Sequence, residues 1–319
     1  MLNFYIQKIE NYLEKYNLPN SPENIYRPID YFLKIGGKRL RPVLTLLATE
    51  LGGGDVDNAI HAAISIELFH NFSLIHDDIM DDAPKRRGYA TVHEKWNSNI
   101  AILSGDALLI RAYELISKQK NEHIPDLLKI FNKTAIELCE GQQMDMDFEN
   151  RNEVTIDEYI SMIRLKTSVL LGCALEFGFI ISNQTIENRK KIYDFGVNLG
   201  IAFQIQDDIL DLYGDPEKVG KQVGGDIKAN KKTLLYLVSK NIVNNHNYNK
   251  LNKINEIKDL NKKVEETKEF YDKNGVVEET KKYLDFYHDL SIKSLKSLEA
   301  IESKDKLFHL VSYLFNRQS

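Results

Sequence analysis

Helix-breaking residues are scarce in this chain, and that scarcity constrains its fold more than any single motif. Only 17 glycines and 7 prolines punctuate 319 residues, and the long segments between them carry apolar side chains at three- and four-residue spacing. Such a chain buries one stripe of each helix against its neighbours, so the pattern implies an all-α bundle of long antiparallel helices. Helices are expected at about residues 56–82, 91–119, 122–148, 155–181, 186–213 and 231–242, with shorter ones towards the C-terminus. Asp55 is a plausible N-cap after Gly52, Gly53 and Gly54, and Ala83 with Pro84 stops the same helix. No run alternates apolar and polar residues between turn signals, so no sheet is expected. From Asn244 to about Lys304 the composition shifts to Lys, Glu and Asn, but apolar residues still recur at helical spacing. That segment reads as peripheral helices of one domain spanning residues 1–319, with polar loops near 244–248 and 273–275.

The overall charge narrows the function. A net charge of −5 gives no global basic field, which argues against nucleic acid as a partner. Cys139 and Cys173 lie far apart and match no metal-ligand spacing, so they read as reduced core thiols of a cytoplasmic protein. The N-terminal stretch lacks the apolar core of a signal peptide. The most apolar segment, residues 167–182, contains Glu176 and falls short of the roughly 20 residues that a bilayer requires. It reads as a buried helix, and no transmembrane segment is expected.

Residues 76–87, HDDIMDDAPKRR, gather acids and then bases. Alone, the stretch reads equally as a solvated helix end. Its acidic core returns, however: Asp77-Asp78-Ile79-Met80-Asp81 is echoed by Asp207-Asp208-Ile209-Leu210-Asp211, each after a long apolar helical stretch. Successive helical residues turn by about 100°, so the acids at the first and fifth positions of each motif share one face. Acids at a helix C-terminus oppose the macrodipole by roughly 0.3 to 1 kcal/mol each. A hard divalent cation such as Mg²⁺, held by carboxylates, phosphate oxygens and water, would offset that cost. Three basic segments accompany the acids: Gly36-Gly37-Lys38-Arg39-Leu40-Arg41-Pro42, Lys85-Arg86-Arg87-Gly88, and Gly220-Lys221 with Lys231-Lys232-Thr233. Acids for metal and bases for anions together suit a diphosphate substrate.

Read together, GGKRLRP, DDIMDDAPKRRG, FQIQDDILD and GDIKANKKTL occur in an order that resembles the trans (E-type) isoprenyl diphosphate synthases, medium-chain type. The resemblance implies an isoprenoid-synthase bundle around a central active-site cavity, a homodimer, and Mg²⁺ as cofactor, three ions per site. Asp77, Asp81 and Asp207 would be the principal ligands, with Asp78, Asp208 and Asp211 in the same set. Arg86 would hold the allylic diphosphate, and Lys38, Arg41, His70 and Arg87 the isopentenyl diphosphate. Lys166, Thr167, Gln204, Lys221 and Lys231 match family positions near the allylic diphosphate and the developing cation. One departure is that the family's usual Glu-Gly-Lys before the final Thr reads Ala229-Asn230-Lys231 here.

The activity so implied is head-to-tail condensation of isopentenyl diphosphate with an allylic diphosphate. Phe72, five positions before Asp77, and the small Ser73 match the place where the family sets product length, implying C20 ahead of C15 or C25. Core packing alone is the alternative for Phe72, as it is for His70. A class I terpene cyclase and a non-catalytic subunit of a heteromeric prenyl synthase are the competing functions; the second DDxxD motif and the completeness of both motifs argue against them.

Overall fold

The computed structural model describes residues 2–214, 224–242, 245–299, 301 and 304–315. They group into two compact units, one of Met1–Lys133, Leu170–Tyr193 and Glu299–Ile301, the other of Thr134–Val169, Asp194–Leu298 and Glu302–Ser319. Among the described residues the architecture is the all-α one implied by the scarcity of helix breakers, with one two-stranded hairpin as the exception.

The first unit contains α1 (Leu2–Glu14), α2 (Glu23–Ile35), α3 (Leu40–Leu51), α4 (Ile60–Met80), the hairpin β1 (Lys85–Arg86) and β2 (Tyr89–Ala90), α5 (Val92–Lys95) and α6 (Ser98–Ile116). Helix α4 is its axis, buried without interruption from Ala62 to Phe69 and packed against α3 and α6. A helix that is apolar all round can only sit inside a protein. Asp55 starts it as expected, accepting a hydrogen bond from the Asp57 amide at 2.9 Å and opening a 3₁₀ turn over Val56–Ala59. At the other end the Ala83 amide donates to the Asp78 carbonyl at 2.9 Å, closing the helix before Pro84.

Sterics in the same unit fix how closely its helices approach. On α6, a Cβ at Gly105 would lie 2.4 Å from His76 Nε2, so only glycine lets that ring settle there. Aromatic rings continue the core from Tyr113 through Phe131 and Phe69 to Phe72, with centroid separations of 5.0, 5.0 and 5.6 Å.

The second unit contains α8 (Ile156–Ile163), a π-helical turn (Arg164–Ser168), α11 (Gly225–Lys228), α12 (Leu234–Ile242), α13 (Asn245–Asn255), α14 (Leu260–Asn274), α15 (Val276–Lys296) and α16 (Asp305–Phe315). Three long helices, α7 (Ile124–Asn150), α9 (Val169–Ile181) and α10 (Ile186–Tyr213), contribute residues to both units. A capping box starts α8: the Thr155 hydroxyl accepts from the Glu158 amide, and the Glu158 carboxylate accepts from the Thr155 amide.

Three local features depart from the sequence reading. The helix expected over 155–181 is present from Ile156 to Ile181, but a π turn widens it over Arg164–Ser168, where Gly141 and Gly200 leave it room. A Cβ at Gly141 would come within 2.3 Å of the Lys166 nitrogen, and one at Gly200 within 2.8 Å of Ser168 Cα. The polar loop expected near 244–248 is from Asn245 the start of α13, a helix that buries Leu251 and Ile254, three residues apart. The turn expected near 273–275 is present, with Gly275 at φ 66° ending α14. The hairpin escaped notice because its strands are two residues long, too short to show alternation.

Packing of α9 on α3 supplies a test. A Cβ at Gly178 would lie 2.5 Å from the Thr45 carbonyl oxygen and 2.6 Å from the Thr49 nitrogen. Overpacking against backbone costs about 1–3 kcal/mol, so Gly178→Ala should lower the urea midpoint by that equivalent with an unchanged denaturant slope.

Candidate active site

Residue Glu67 lies at the heart of the first unit, 3% exposed in the middle of α4. Its carboxylate accepts from Arg39 Nη1 at 2.7 Å and from Asn71 Nδ2 at 3.0 Å. Arg39 also donates to Glu10 at 2.7 Å and to the Leu33 carbonyl at 2.9 Å, which holds it at φ 47° where the GGKRLRP segment turns into α3. Arg39 therefore has an architectural task within that segment, while Lys38 beside it is exposed.

Further along α4, Arg41 Nη1 lies 3.1 Å from His70 Nε2. Burial pushes Arg41 down to about 10, the Arg87 guanidinium adds to that, and Glu67 opposes it. His70 is held well below the usual imidazole range by burial and by Arg41, Arg87, Arg86 and Arg39. A neutral His70 then accepts a hydrogen bond from Arg41 at Nε2 and carries its own proton on Nδ1.

The first acidic motif ends α4. Asp77 is partly buried, Asp78 is 1% exposed, and Asp81 is open to solvent one turn after Asp77, its amide donating to the Asp77 carbonyl at 2.9 Å. Arg86 reaches back from β1 to place Nε 2.7 Å from Asp78 Oδ1 and Nη2 3.4 Å from Asp77 Oδ2. Burial pushes the Asp78 carboxyl up, and Arg86 counteracts this.

Arg87 (φ 53°) and Gly88 (φ 83°) form the two-residue loop of the hairpin, with positive φ at both positions as a type I′ turn requires. The Arg87 side chain lies against the glycine loop, where a Cβ at Gly37 would be 2.6 Å from Nη1. One unit thus gathers Arg41, His70, Arg86, Arg87 and the loop carrying Lys38 around the first acidic motif.

The proposed length determinants lie on α4 too. Phe72 packs its ring 5.6 Å from Phe69 and 4.7 Å from His76, and the Ser73 hydroxyl donates to the His70 carbonyl at 2.8 Å.

The second unit carries the other motif on α10. Asp207 and Asp211 are partly buried, and Asp211 Oδ2 accepts from the Asp226 amide at 3.1 Å. Asp208 is 5% exposed, and its carboxylate accepts from the Tyr159 hydroxyl, from the Leu234 amide at 3.3 Å and from Gln204 Nε2 at 3.3 Å. Burial pushes Asp208 up to about 7, with its donors opposing and Asp226 adding. Tyr159 is raised well above the usual phenol range by its own burial and by Asp208.

On the π turn, Lys166 Nζ donates to Asp145 Oδ2 at 2.6 Å, and Thr167 beside it is partly buried. π turns interrupt helices where a side chain must be presented out of the regular register. Lys231 is exposed on the segment before α12, and Lys221 lies outside the described residues. Asn230 takes φ 56° with its side-chain oxygen accepting from Lys263, so asparagine adopts the left-handed backbone that a glycine would favour in the Glu-Gly-Lys pattern.

Comparison with known proteins decides the family. The polyprenyl synthetase family model matches residues 22–273. This chain belongs to the polyprenyl synthetase family. Among curated relatives, it is 42% identical over 73% of its length to a short chain isoprenyl diphosphate synthase of Methanocaldococcus jannaschii, covering 70% of that protein. It is 44% identical over 72% of its length to a geranylgeranyl pyrophosphate synthase of Geoglobus acetivorans, covering 72% of it. Among solved structures, a geranylgeranyl pyrophosphate synthase superposes with a TM-score of 0.95 at 43% identity, with 100% of this chain and 99% of that one covered. The synthetase of Pyrococcus horikoshii Ot3 gives 0.92 at 35% identity, with 99% and 97% covered.

Donor chemistry in this polyprenyl synthetase fits a hard cation. Asp77 and Asp81, like Asp207 and Asp211, offer carboxylate oxygens four residues apart on one helix, and the buried Asp78 Oδ2 has no hydrogen-bond partner. A further cluster, Asp82, His93 and Glu94, brings its donor atoms within 4.8 Å of one another beside the first motif. The sequence assigned Asp82 no role, and His93 and Glu94 carried no spacing signal. It also passed over Glu67, Asp145 and Tyr159. Glu67 alone had a signal: it is the one carboxylate in the apolar run from Ile60 to Ile75.

Removing one member of a buried ion pair strands the other, at about 3–5 kcal/mol. Because Arg39 keeps Glu10 and the Leu33 carbonyl, Glu67→Gln should destabilise the synthetase towards the lower end of that range, measurable by urea unfolding.

Proposed function

We propose that this polyprenyl synthetase catalyses the Mg²⁺-dependent head-to-tail condensation of isopentenyl diphosphate with an allylic diphosphate, giving an all-trans prenyl diphosphate of C20, with C25 the next length. The observation that carries this reading is the meeting of Arg41, His70, Arg86 and Arg87 around the Asp77–Asp81 motif within one unit. Relatives named geranylgeranyl diphosphate synthase, from Methanosarcina mazei, and geranylfarnesyl diphosphate synthase, from Natronomonas pharaonis, support the two lengths.

Arg41, Arg87 and Lys38 hold the isopentenyl diphosphate through charge-assisted hydrogen bonds, with neutral His70 orienting the Arg41 guanidinium. Arg86, tied to Asp77 and Asp78, serves the allylic diphosphate, and Lys166, Thr167, Gln204, Lys221 and Lys231 serve its leaving group and the developing cation. Asp77 with Asp81 in one unit, and Asp207 with Asp211 in the other, would each hold Mg²⁺, which when bound neutralises charge on the diphosphate oxygens. The allylic carbon–oxygen bond breaks with its electron pair leaving on the diphosphate. The double bond of isopentenyl diphosphate then forms the new carbon–carbon bond, and loss of a proton to the released diphosphate restores an alkene. Arg and Lys donors fixed before the reaction stabilise the leaving charge more in the transition state than in the ground state. Apolar α4 walls keep water from the cation, with Phe72 as the floor for the growing chain.

The family model's match runs through residues of both units, which supports one functional domain over residues 1–319. Cys173 is buried as expected, whereas Cys139 is exposed on α7 and is not a core thiol; neither is in a disulfide, which supports a cytoplasmic setting, and no described helix is long and apolar enough to cross a membrane. On α6 the exposed stripe of Ile102, Leu103 and Ile110 supports a homodimer through that helix.

Labelled isopentenyl diphosphate offered with C5, C10 and C15 allylic primers should be incorporated into a C20 or C25 diphosphate, sized after dephosphorylation. Failure with every primer refutes the reading. Phe72→Ala should lengthen the product by at least one C5 unit, and an unchanged length removes the floor. Light scattering should give twice the chain mass, and Leu103→Glu should shift it towards monomer.

A further inference from the structure

The geometry points to Asp208 as a positioning residue that locks the second acidic motif to the two lysine-bearing segments, and not as a metal ligand. This rests on the function proposed above. Asp207 and Asp208 point about 100° apart on α10, and Asp208 is the one turned inward, 5% exposed. A carboxylate offers about four lone-pair sites, and three of those on Asp208 are taken by the chain itself: the Tyr159 hydroxyl, the Leu234 amide and Gln204 Nε2.

Those donors come from three separate places. Tyr159 lies on α8, which runs directly into the π turn bearing Lys166 and Thr167. Leu234 opens α12, immediately after Lys231, Lys232 and Thr233. Gln204 lies one turn earlier on α10. Asp208 therefore fixes the spacing of three groups that must act on one diphosphate, and a cation at Asp208 would have to displace bonds that burial makes costly to lose. The first motif also turns its second acid inward, with Asp78 1% exposed and bonded to Arg86 at 2.7 Å, but there Oδ2 is left without a partner, so the assignment is made for Asp208 alone.

Full-length wild type, Asp208→Asn, Tyr159→Phe, their double variant and Asp207→Ala are compared in elongation kinetics and in Mn²⁺ binding, the latter by the paramagnetic resonance of free Mn²⁺. Asp208→Asn and Tyr159→Phe should each lower kcat by about 10- to 100-fold, the usual cost of losing a group that orients a site. The Mg²⁺ concentration for half-maximal rate should stay at the wild-type value, and the double variant should be no slower than the slower single one. Mn²⁺ binding should be unchanged in Asp208→Asn and Tyr159→Phe and weakened in Asp207→Ala. Mn²⁺ loss in Asp208→Asn matching that of Asp207→Ala, single losses that add, or a lowered melting temperature with wild-type kcat overturns the inference. Where Asp208→Asn does not fold, Tyr159→Phe decides by the same two readouts. A wild type that elongates no primer refutes the proposed function instead, and the Mn²⁺ comparison still decides Asp208.

Discussion

The ion pair between Arg39 and Glu67 underlies the cationic side of the candidate site. Helix α4 has to be apolar to run through the core of its unit, yet its end must face a group of guanidiniums that repel one another. A buried carboxylate one turn below His70 resolves that conflict. It neutralises Arg39 directly at 2.7 Å and opposes the lowering that desolvation and neighbouring guanidiniums impose on Arg41 and Arg87. Arg39 in turn holds the backbone at the start of α3, so the loop carrying Lys38 and the helix carrying Arg41 leave one fixed point. Desolvating both partners is expensive, and the structure compensates with Glu10, Asn71 and the Leu33 carbonyl.

The helices were legible in the sequence because apolar periodicity reports the one thing a helix must do, which is bury a stripe. What escaped depends on partners distant in the chain. The π turn at Arg164–Ser168 exists because Gly141 and Gly200, each more than 20 residues away, have no side chain to exclude it. The first turn of α13 was read as loop because its asparagines have low helix propensity, and packing of Leu251 and Ile254 later in the helix overrides it. Asn230 looked like a disturbance of the family pattern, but its backbone shows that the pattern there concerns φ and not residue type.

Functional residue types were legible too, since paired acids and clustered bases carry their chemistry in their side chains. The division of labour within each pair was not. Asp77 and Asp78 are identical as letters, as are Asp207 and Asp208, and only the direction in which the helix turns them separates a partly exposed group from a buried one. Residues that support others, such as Asp145 beneath Lys166 and Tyr159 against Asp208, have no motif because their role is defined by what they touch.

The two-residue hairpin after α4 has one further consequence. Neighbours in sequence normally serve neighbouring points in space, yet Arg86 binds the aspartates while Arg87 lies on the Gly37 loop. The hairpin achieves this by putting one arginine in a strand and the next in the turn. Its register, Lys85 opposite Ala90 and Arg86 opposite Tyr89, leaves no slack. A single inserted residue would slide the strand by one place and exchange the faces of every side chain on it. Loop length here acts as an address label, so drift in length would misdeliver both cations even with every charge retained.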